Sequence, residues 1–327
     1  MAIDCHAHWI PPGLAELLRR RRSGPRIERA GEGERFVGAI TGRPFDAALA
    51  DIEFRMDLMR RCGLARQVLS LAGLFGIDSL PAEEAAPLVA AFNDEAAELC
   101  RREPERFIGL AALPVADPER MGRELERAQA LGLRGAILPA SGFVSLEGAR
   151  RFEAVFAVGN RLRSHFFIHP GPLAPVPESS LRADREDSAW QRRIVLEAQA
   201  VLSSVMMTMN LTTFLDPYPD VTVQVANLGG TMPFLLERMD EVHRMEAADG
   251  QPPSQRMRRC YVDTASFGPR AVELAVAAFG ADRVVLGTDC PIFDVARMLD
   301  AVSRANISSE ARELILTGNA EACFSGR

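Results

Sequence analysis

The stretch Met1–Pro12, MAIDCHAHWIPP, decides how the rest of the chain is read. Ile3, Asp4 and Cys5 open a short run of strand character, and His6 and His8 stand one residue apart within it. Alternate side chains of an extended strand share a face, so both imidazoles point the same way. Two neutral imidazoles on one side of a strand end make half of a metal site. Cys5 has the opposite parity and faces away from them. A histidine pair of this kind also arises as one structural and one exposed residue, so the other half must come from elsewhere in the chain.

Beyond this stretch, short apolar runs alternate with amphipathic ones. Strands are predicted at about Ala2–His6, Gln67–Leu71, Phe107–Leu113, Gly135–Leu138, Phe166–His169, Val221–Asn227, Cys260–Thr264 and Val284–Thr288. Helical spacing marks Phe45–Cys62, Ala82–Arg102, Pro118–Leu131, Leu146–Arg161, Ala189–Leu211, Met232–Ala247 and Pro269–Phe279, with a helix pair at the end. Eight strands with helices between them predict an α/β fold with a parallel sheet closed into a (β/α)₈ barrel. An open doubly wound sheet is the alternative, but it should carry a glycine-rich phosphate loop after the first strand, and HAHWIPP is not one. With no internal repeat or linker, 1–327 reads as a single domain. The polar, arginine-rich segment Gly13–Arg43 reads as an insertion over the mouth of the barrel.

The composition narrows the function. The chain has 327 residues, 47% hydrophobic and 25% charged, which is ordinary for a globular protein. Its length suits two domains or one barrel with additions. A net charge of −6 gives no general attraction for nucleic acid or anionic membrane, and the run Arg19–Arg22 reads as a solvated helix face. No apolar run is expected to span a bilayer, and the N-terminus lacks the pattern of a signal peptide. The six cysteines are scattered without CxxC spacing, which predicts reduced thiols and a cytoplasmic location. Every basic side chain is arginine, so a Schiff base, a lysine general base and a carboxylated-lysine metal bridge are excluded.

Active sites of such barrels lie at the C-terminal ends of the strands. His6 and His8 end the first strand, His169 the fifth, Asn227 the sixth, Asp263 the seventh and Asp289 the eighth. Read singly, His169 is a satisfied core histidine and Asp289 a helix N-cap before Pro291. Their common placement at strand ends points instead to one divalent ion, Zn²⁺ or Mn²⁺, held by His6, His8, His169 and Asp289 with a position open to water. Asp263 is placed to orient a ligand from behind. Arg55 is a candidate for binding a substrate acid, although read alone it is first a surface or salt-bridging residue. Trp190 is a candidate pocket wall or loop-packing residue, and Cys290 a pocket neighbour or buried thiol.

The set DCHAH, FFIHPGP, YPDVTVQVANLGGTMPFLLERMD, YVDTAS, VLGTDCPIF and LTGNAEACF resembles the metal-dependent amidohydrolase superfamily over nearly the whole chain. Within it, the set is similar to the branch of aminocarboxymuconate-semialdehyde and resorcylate decarboxylases. The resemblance implies a distorted (β/α)₈ barrel and the same four metal ligands. It implies non-oxidative loss of CO₂ from an aromatic or enoic acid, a small-molecule carboxylate. It also implies a homodimer in which Arg238 reaches the substrate carboxylate of a neighbouring subunit. A guanidinium fork suits a carboxylate, although Arg238 read alone is a surface charge.

One position departs from that branch. At the end of the sixth strand, two residues before the double glycine Gly229–Gly230, that branch normally has histidine, and here the residue is Asn227. An amide holds hydrogen bonds but carries no proton at neutral pH. His165 shares the parity of His169 but lies about 13 Å further down its strand, and His243 lies within a helix, so neither replaces it. The proton then falls to Asp289, with Asn227 as a hydrogen-bonding partner. Decarboxylation is the first functional reading. A metal-dependent hydrolase or hydratase acting on a lactone, amide or alkene is the second. A non-catalytic binding barrel is the third, and the four retained ligand positions argue against it.

Overall fold

A computed structural model describes residues 1–38, 42–175, 188, 191–246 and 249–324. The strands are β1 (Ala2–His8), β2 (Arg26–Ala30), β3 (Gly33–Val37), β4 (Gly42–Phe45), β5 (Leu64–Ser70), β6 (Phe107–Gly109), β7 (Gly135–Pro139), β8 (His165–His169), β9 (Thr222–Val225), β10 (Tyr261–Asp263) and β11 (Val284–Val285). β1, β5 and β6 pair in parallel, and so do β7 to β11 in chain order. Parallel bridges at Ala111–Ala136 and Ala7–Cys290 join the two sheets at both edges. The eight parallel strands therefore close on themselves, as expected from the sequence. Strands buried on both faces read as near-continuous apolar runs, and His165–His169, HFFIH, is buried at every position.

Three expected elements differ for identifiable reasons. The eighth barrel strand ends at Val285 rather than Thr288, because the next amides turn to side chains: Gly287 N donates to Thr264 Oγ1 and Thr288 N to Asp4 Oδ1. The helix expected over Phe45–Cys62 is broken at Asp51, which is extended and caps the amides of Glu53 and Phe54. The helix expected over Leu146–Arg161 is likewise two, Leu146–Arg150 and Glu153–Leu162.

Within 13–43, whose residues 39–41 lie outside the described residues, the chain forms the helix Pro12–Arg19 and an antiparallel sheet in which β3 pairs with β2 and β4. Phe36 of this sheet is buried against Phe75, whose ring centroid is 6.3 Å from that of His8.

The expectation that no apolar run matches a bilayer needs correction. Arg192–Leu211, 20 residues, is long and apolar enough to cross a membrane by length and composition alone. It is helical throughout, starting with a π-helical segment. Leu202, Val205, Met206 and Met209 pack into the barrel's core. The backbone of the Asn227–Gly230 loop lies so close to it that a β-carbon on Gly230 would stand 2.2 Å from the Gln199 carbonyl oxygen.

Candidate metal centre

β1 turns Asp4, His6 and His8 to the barrel interior, and all three are fully buried. His169 arrives from the end of β8 and Asp289 from the turn after β11. One ligand atom from each of His6, His8, His169 and Asp289 lies within 4.8 Å of the others. His6 Nε2 is 3.2 Å from His8 Nε2 and 3.4 Å from Asp289 Oδ1, and His8 Nε2 is 3.2 Å from the same oxygen. The His169 ring centroid is 4.9 Å from that of His6 and 4.8 Å from that of His8.

The outer nitrogen of each ring fixes which atom faces inward. His169 Nδ1 donates to the Pro170 carbonyl at 2.9 Å, which can only accept. His8 Nδ1 is 3.2 Å from Ser70 Oγ, whose own hydroxyl donates to the Ala7 carbonyl. His6 Nδ1 is 3.2 Å from Asp263 Oδ2, an ionic contact off the ideal hydrogen-bond line. In each ring the proton therefore belongs on Nδ1 and the Nε2 lone pair points to the centre. Asp289 Oδ1 is buried there without a hydrogen-bond donor among the described residues. Lone pairs facing one another at these distances need a proton or a cation between them, and three imidazoles with one carboxylate are a donor set for a divalent transition metal.

The electrostatics agree. Burial opposes charge on His6, but the carboxylates of Asp263, Asp289 and Asp4 outweigh it and hold its pKa up to about 9. Burial, with the neighbouring imidazoles, pushes His8 and His169 well below their usual range. Burial raises the carboxyl of Asp289, against the pull of His6 and His169. Asp263 is lowered, because contacts from His6, Gln224 and the Asn227 amide overcome its burial. One proton thus occupies the cluster where a cation would compete for it.

Asp263 also organises the loops behind the centre. Its Oδ1 accepts from Asn227 N at 3.0 Å and Ala265 N at 3.2 Å, and its Oδ2 accepts from Gln224 Nε2 at 2.9 Å. Asn227, Leu228, Gly229 and Gly230 all have positive φ, and so does Asp289 at 53°. Such backbone is strained for side-chain-bearing residues and clusters at functional sites. Asn227 is half-buried, and its Oδ1 is enclosed without a hydrogen-bond donor among the described residues.

The remaining candidates divide. Arg55, expected at the mouth as an acid-binding residue, is enclosed instead, with 1% of its surface exposed. Its Nη2 donates to the carbonyls of His8 and Ala48 and its Nη1 to Gln67 Oε1, so protein acceptors occupy the guanidinium and a substrate acid cannot reach it. Arg238 is exposed on the helix Met232–Met245, and Trp190 lies outside the described residues. His165 sits in the barrel floor, with Nε2 3.2 Å from Gln224 Oε1 and its ring against Phe324.

Arg43, which the sequence did not single out, is half-buried on β4. Its Nη2 donates to the Pro291 carbonyl at 3.1 Å, two residues beyond Asp289. Its Nε is buried with no acceptor among the described residues, and its charge is felt at Asp289. The one signal for it was its place in a segment predicted to cover the mouth. A groove of about 510 Å³ beside Trp9, Ile52 and Arg102 contains none of the four converging groups.

The chain matches the model of the amidohydrolase family over residues 3–325. It is 27% identical over 317 residues to a gamma-resorcylate decarboxylase of Rhizobium radiobacter, covering 88% of this chain and 92% of that protein. It is 26% identical over 338 residues to a 2-amino-3-carboxymuconate-6-semialdehyde decarboxylase of Dictyostelium discoideum, covering 98% and 90%. Among solved structures it resembles a dihydroxybenzoic acid decarboxylase of a Polaromonas species with bound manganese and the inhibitor 2-nitroresorcinol. That match has a TM-score of 0.71 at 22% identity and covers 99% of this chain and 96% of that one.

Proposed function

The chain belongs to the amidohydrolase family, and from that premise we propose that it is a divalent-metal-dependent lyase removing CO₂ without oxidation from a carboxylated aromatic or enoic small molecule. The observation that carries the reading is the meeting of His6, His8, His169 and Asp289 with their inward atoms within 4.8 Å. Decarboxylases of such acids among its relatives support the reaction class. One Mn²⁺ or Zn²⁺ per chain suits the donor set, and manganese in the Polaromonas structure supports the former. When bound, the ion supplies Lewis-acid polarisation of the substrate's oxygen atoms.

The chain's own side chains do the rest. Arg43, whose charge is felt at Asp289 and whose Nε has no acceptor among the described residues, suits the substrate carboxylate. Asn227 hydrogen-bonds and orients but cannot move a proton. Asp289, as ligand or as base beside the ion, is the group that would handle the proton. Segment 13–43, through Phe36 and Arg43, forms part of the roof of a single-domain barrel spanning 1–327.

A homodimer fits the surface. Arg238 lies on a helix that also exposes Phe234 (78%), Met245 (77%) and Val242, and the nearby long helix exposes Leu196 (66%) and Val195. A second copy covering these residues would bring Arg238 toward its partner's centre. The cysteines are scattered without CxxC spacing, which supports a reducing, cytoplasmic setting.

The test is elemental analysis of protein purified without chelator, followed by CO₂ release from a panel of hydroxybenzoates and enoic acids. Near one metal per chain, lost in His169→Ala, with CO₂ release only by the metal-loaded protein, is the expected result. A protein that takes up no divalent metal refutes the reading.

A further inference from the structure

Arg55 is a buried cation with no carboxylate in ion-pair contact among the described residues. Its partners are neutral: the carbonyls of His8 at 2.6 Å and Ala48 at 3.0 Å, Gln67 Oε1 at 3.0 Å and Cys290 Sγ at 3.5 Å. Its Nε has no acceptor among the described residues. Enclosing a charge on neutral partners costs stability that an apolar side chain of the same length would not. Its place must therefore be explained by what it holds.

It holds the backbone of one metal ligand and the side chain of the residue that follows another. The ligand it holds is His8. Cys290 follows Asp289, and its carbonyl accepts from His8 N at 2.7 Å. Gln67, the second partner, donates to Asp4 Oδ2 at 2.8 Å. Asp4 accepts from Thr288 N at 2.9 Å, from Thr288 Oγ1 at 2.6 Å and from His6 N at 3.1 Å. The hydrogen bonds and the Thr288–Asp289–Cys290 backbone thus close a ring: Arg55, Gln67, Asp4, Thr288, Asp289, Cys290 and back to Arg55. That ring encloses the parallel bridge between Ala7 of β1 and Cys290 beyond β11.

We propose that Arg55 is a positioning residue, which through Gln67 and Asp4 sets the spacing between the His8 and Asp289 ligands and so fixes metal affinity without touching substrate. This rests on the metal reading above. A brace behind the ligands matters because a metal site tolerates little error in ligand placement, and supporting hydrogen bonds typically change affinity by roughly 10–100-fold.

The experiment measures metal affinity of full-length apoprotein, with Mn²⁺ followed by the paramagnetic resonance signal of the free ion and Zn²⁺ by competition with a chromogenic chelator. The wild type is measured first; if it binds neither ion, the metal reading fails and the brace with it. Arg55→Met should bind both at least tenfold more weakly. At saturating metal its KM for a substrate that the wild type turns over should stay within about threefold of the wild-type value. Arg55→Ala should recover affinity when ethylguanidinium is supplied to fill the space. Gln67→Met, which cuts only the link to Asp4, should weaken metal binding in the same direction and decides the matter if the Arg55 variants fail to fold. Wild-type metal affinity in a folded Arg55→Met or Gln67→Met, with only a lowered melting temperature, would overturn the proposal. So would a raised KM with metal affinity unchanged, which would return Arg55 to the substrate.

Discussion

Replacing Asp263 with asparagine should spoil the metal centre while leaving the fold intact. The carboxylate faces only donors: two backbone amides on Oδ1, at 3.0 and 3.2 Å, and Gln224 Nε2 and His6 Nδ1 on Oδ2, at 2.9 and 3.2 Å. An amide must turn its NH₂ toward one pair. The backbone amides cannot reverse, so the NH₂ takes the place of Oδ2. Gln224 can rotate its own amide, but His6 can adapt only by moving its proton to Nε2, the atom that faces the other ligands. A histidine in that tautomer has no lone pair for a metal. Loss of an outer carboxylate of this kind costs roughly 10–100-fold in metal affinity, or about 1.4–2.7 kcal/mol. Asp263→Ala should add a loss of stability, since a buried donor left unpaired costs about 1–3 kcal/mol. Chelator competition on apoprotein reads the affinity, and thermal unfolding with chelator present reads the stability. Metal binding by Asp263→Asn at wild-type affinity would refute the tautomer argument.

Three further outcomes follow from single positions. In Gly287→Ala the new β-carbon would lie 2.6 Å from Asp263 Cβ and 2.8 Å from His6 Cβ; overpacking of about 1–3 kcal/mol should lower the melting temperature and weaken metal binding together, and wild-type metal affinity would show that His6 had not moved. Burial pushes the carboxyl of Asp78 up to about 7, so the folded chain keeps a proton that the unfolded chain releases above its ordinary value of 3.8. Its destabilisation should therefore grow as pH rises from about 4 to 7 and be complete above that; Asp78→Asn should be more stable than wild type by a few kcal/mol at pH 8 and equal to it near pH 4, and a pH-independent difference would contradict this. Asn227→His should introduce a limb near pH 6–7 in the rate profile that the wild type lacks; a wild-type limb that survives Asn227→Ala would mean that a different histidine moves the proton.

The barrel and its ligands were legible because period and parity are local. His6 and His8 share a face by spacing alone, and every barrel strand announced itself as an apolar run. Strand ends were less legible. Thr288 lies beyond the ladder because its amide goes to Asp4, 284 residues away in sequence. Arg55 was misjudged for a similar reason. An arginine on a helix face reads as exposed, and only the fold shows the His8 carbonyl and Cys290 thiol that receive it. Arg43 was invisible because the strand carrying it, GRPF, has neither alternation nor apolar content and pairs only within a small antiparallel sheet.

The central claim is that this centre, loaded with metal, removes CO₂ from a carboxylated ring or enoic acid. The most direct measurement is release of labelled CO₂ from 2,6-dihydroxybenzoate and a panel of related acids, each carrying ¹³C in the carboxyl group. It is run with the metal-loaded protein, the same protein stripped by chelator, and the His169→Ala variant. The account predicts labelled CO₂ and the decarboxylated product from at least one acid with the loaded protein alone, restored to the stripped protein by added Mn²⁺ or Zn²⁺. Equal release by the stripped protein, or no release from any acid by protein shown to carry one metal per chain, would contradict it.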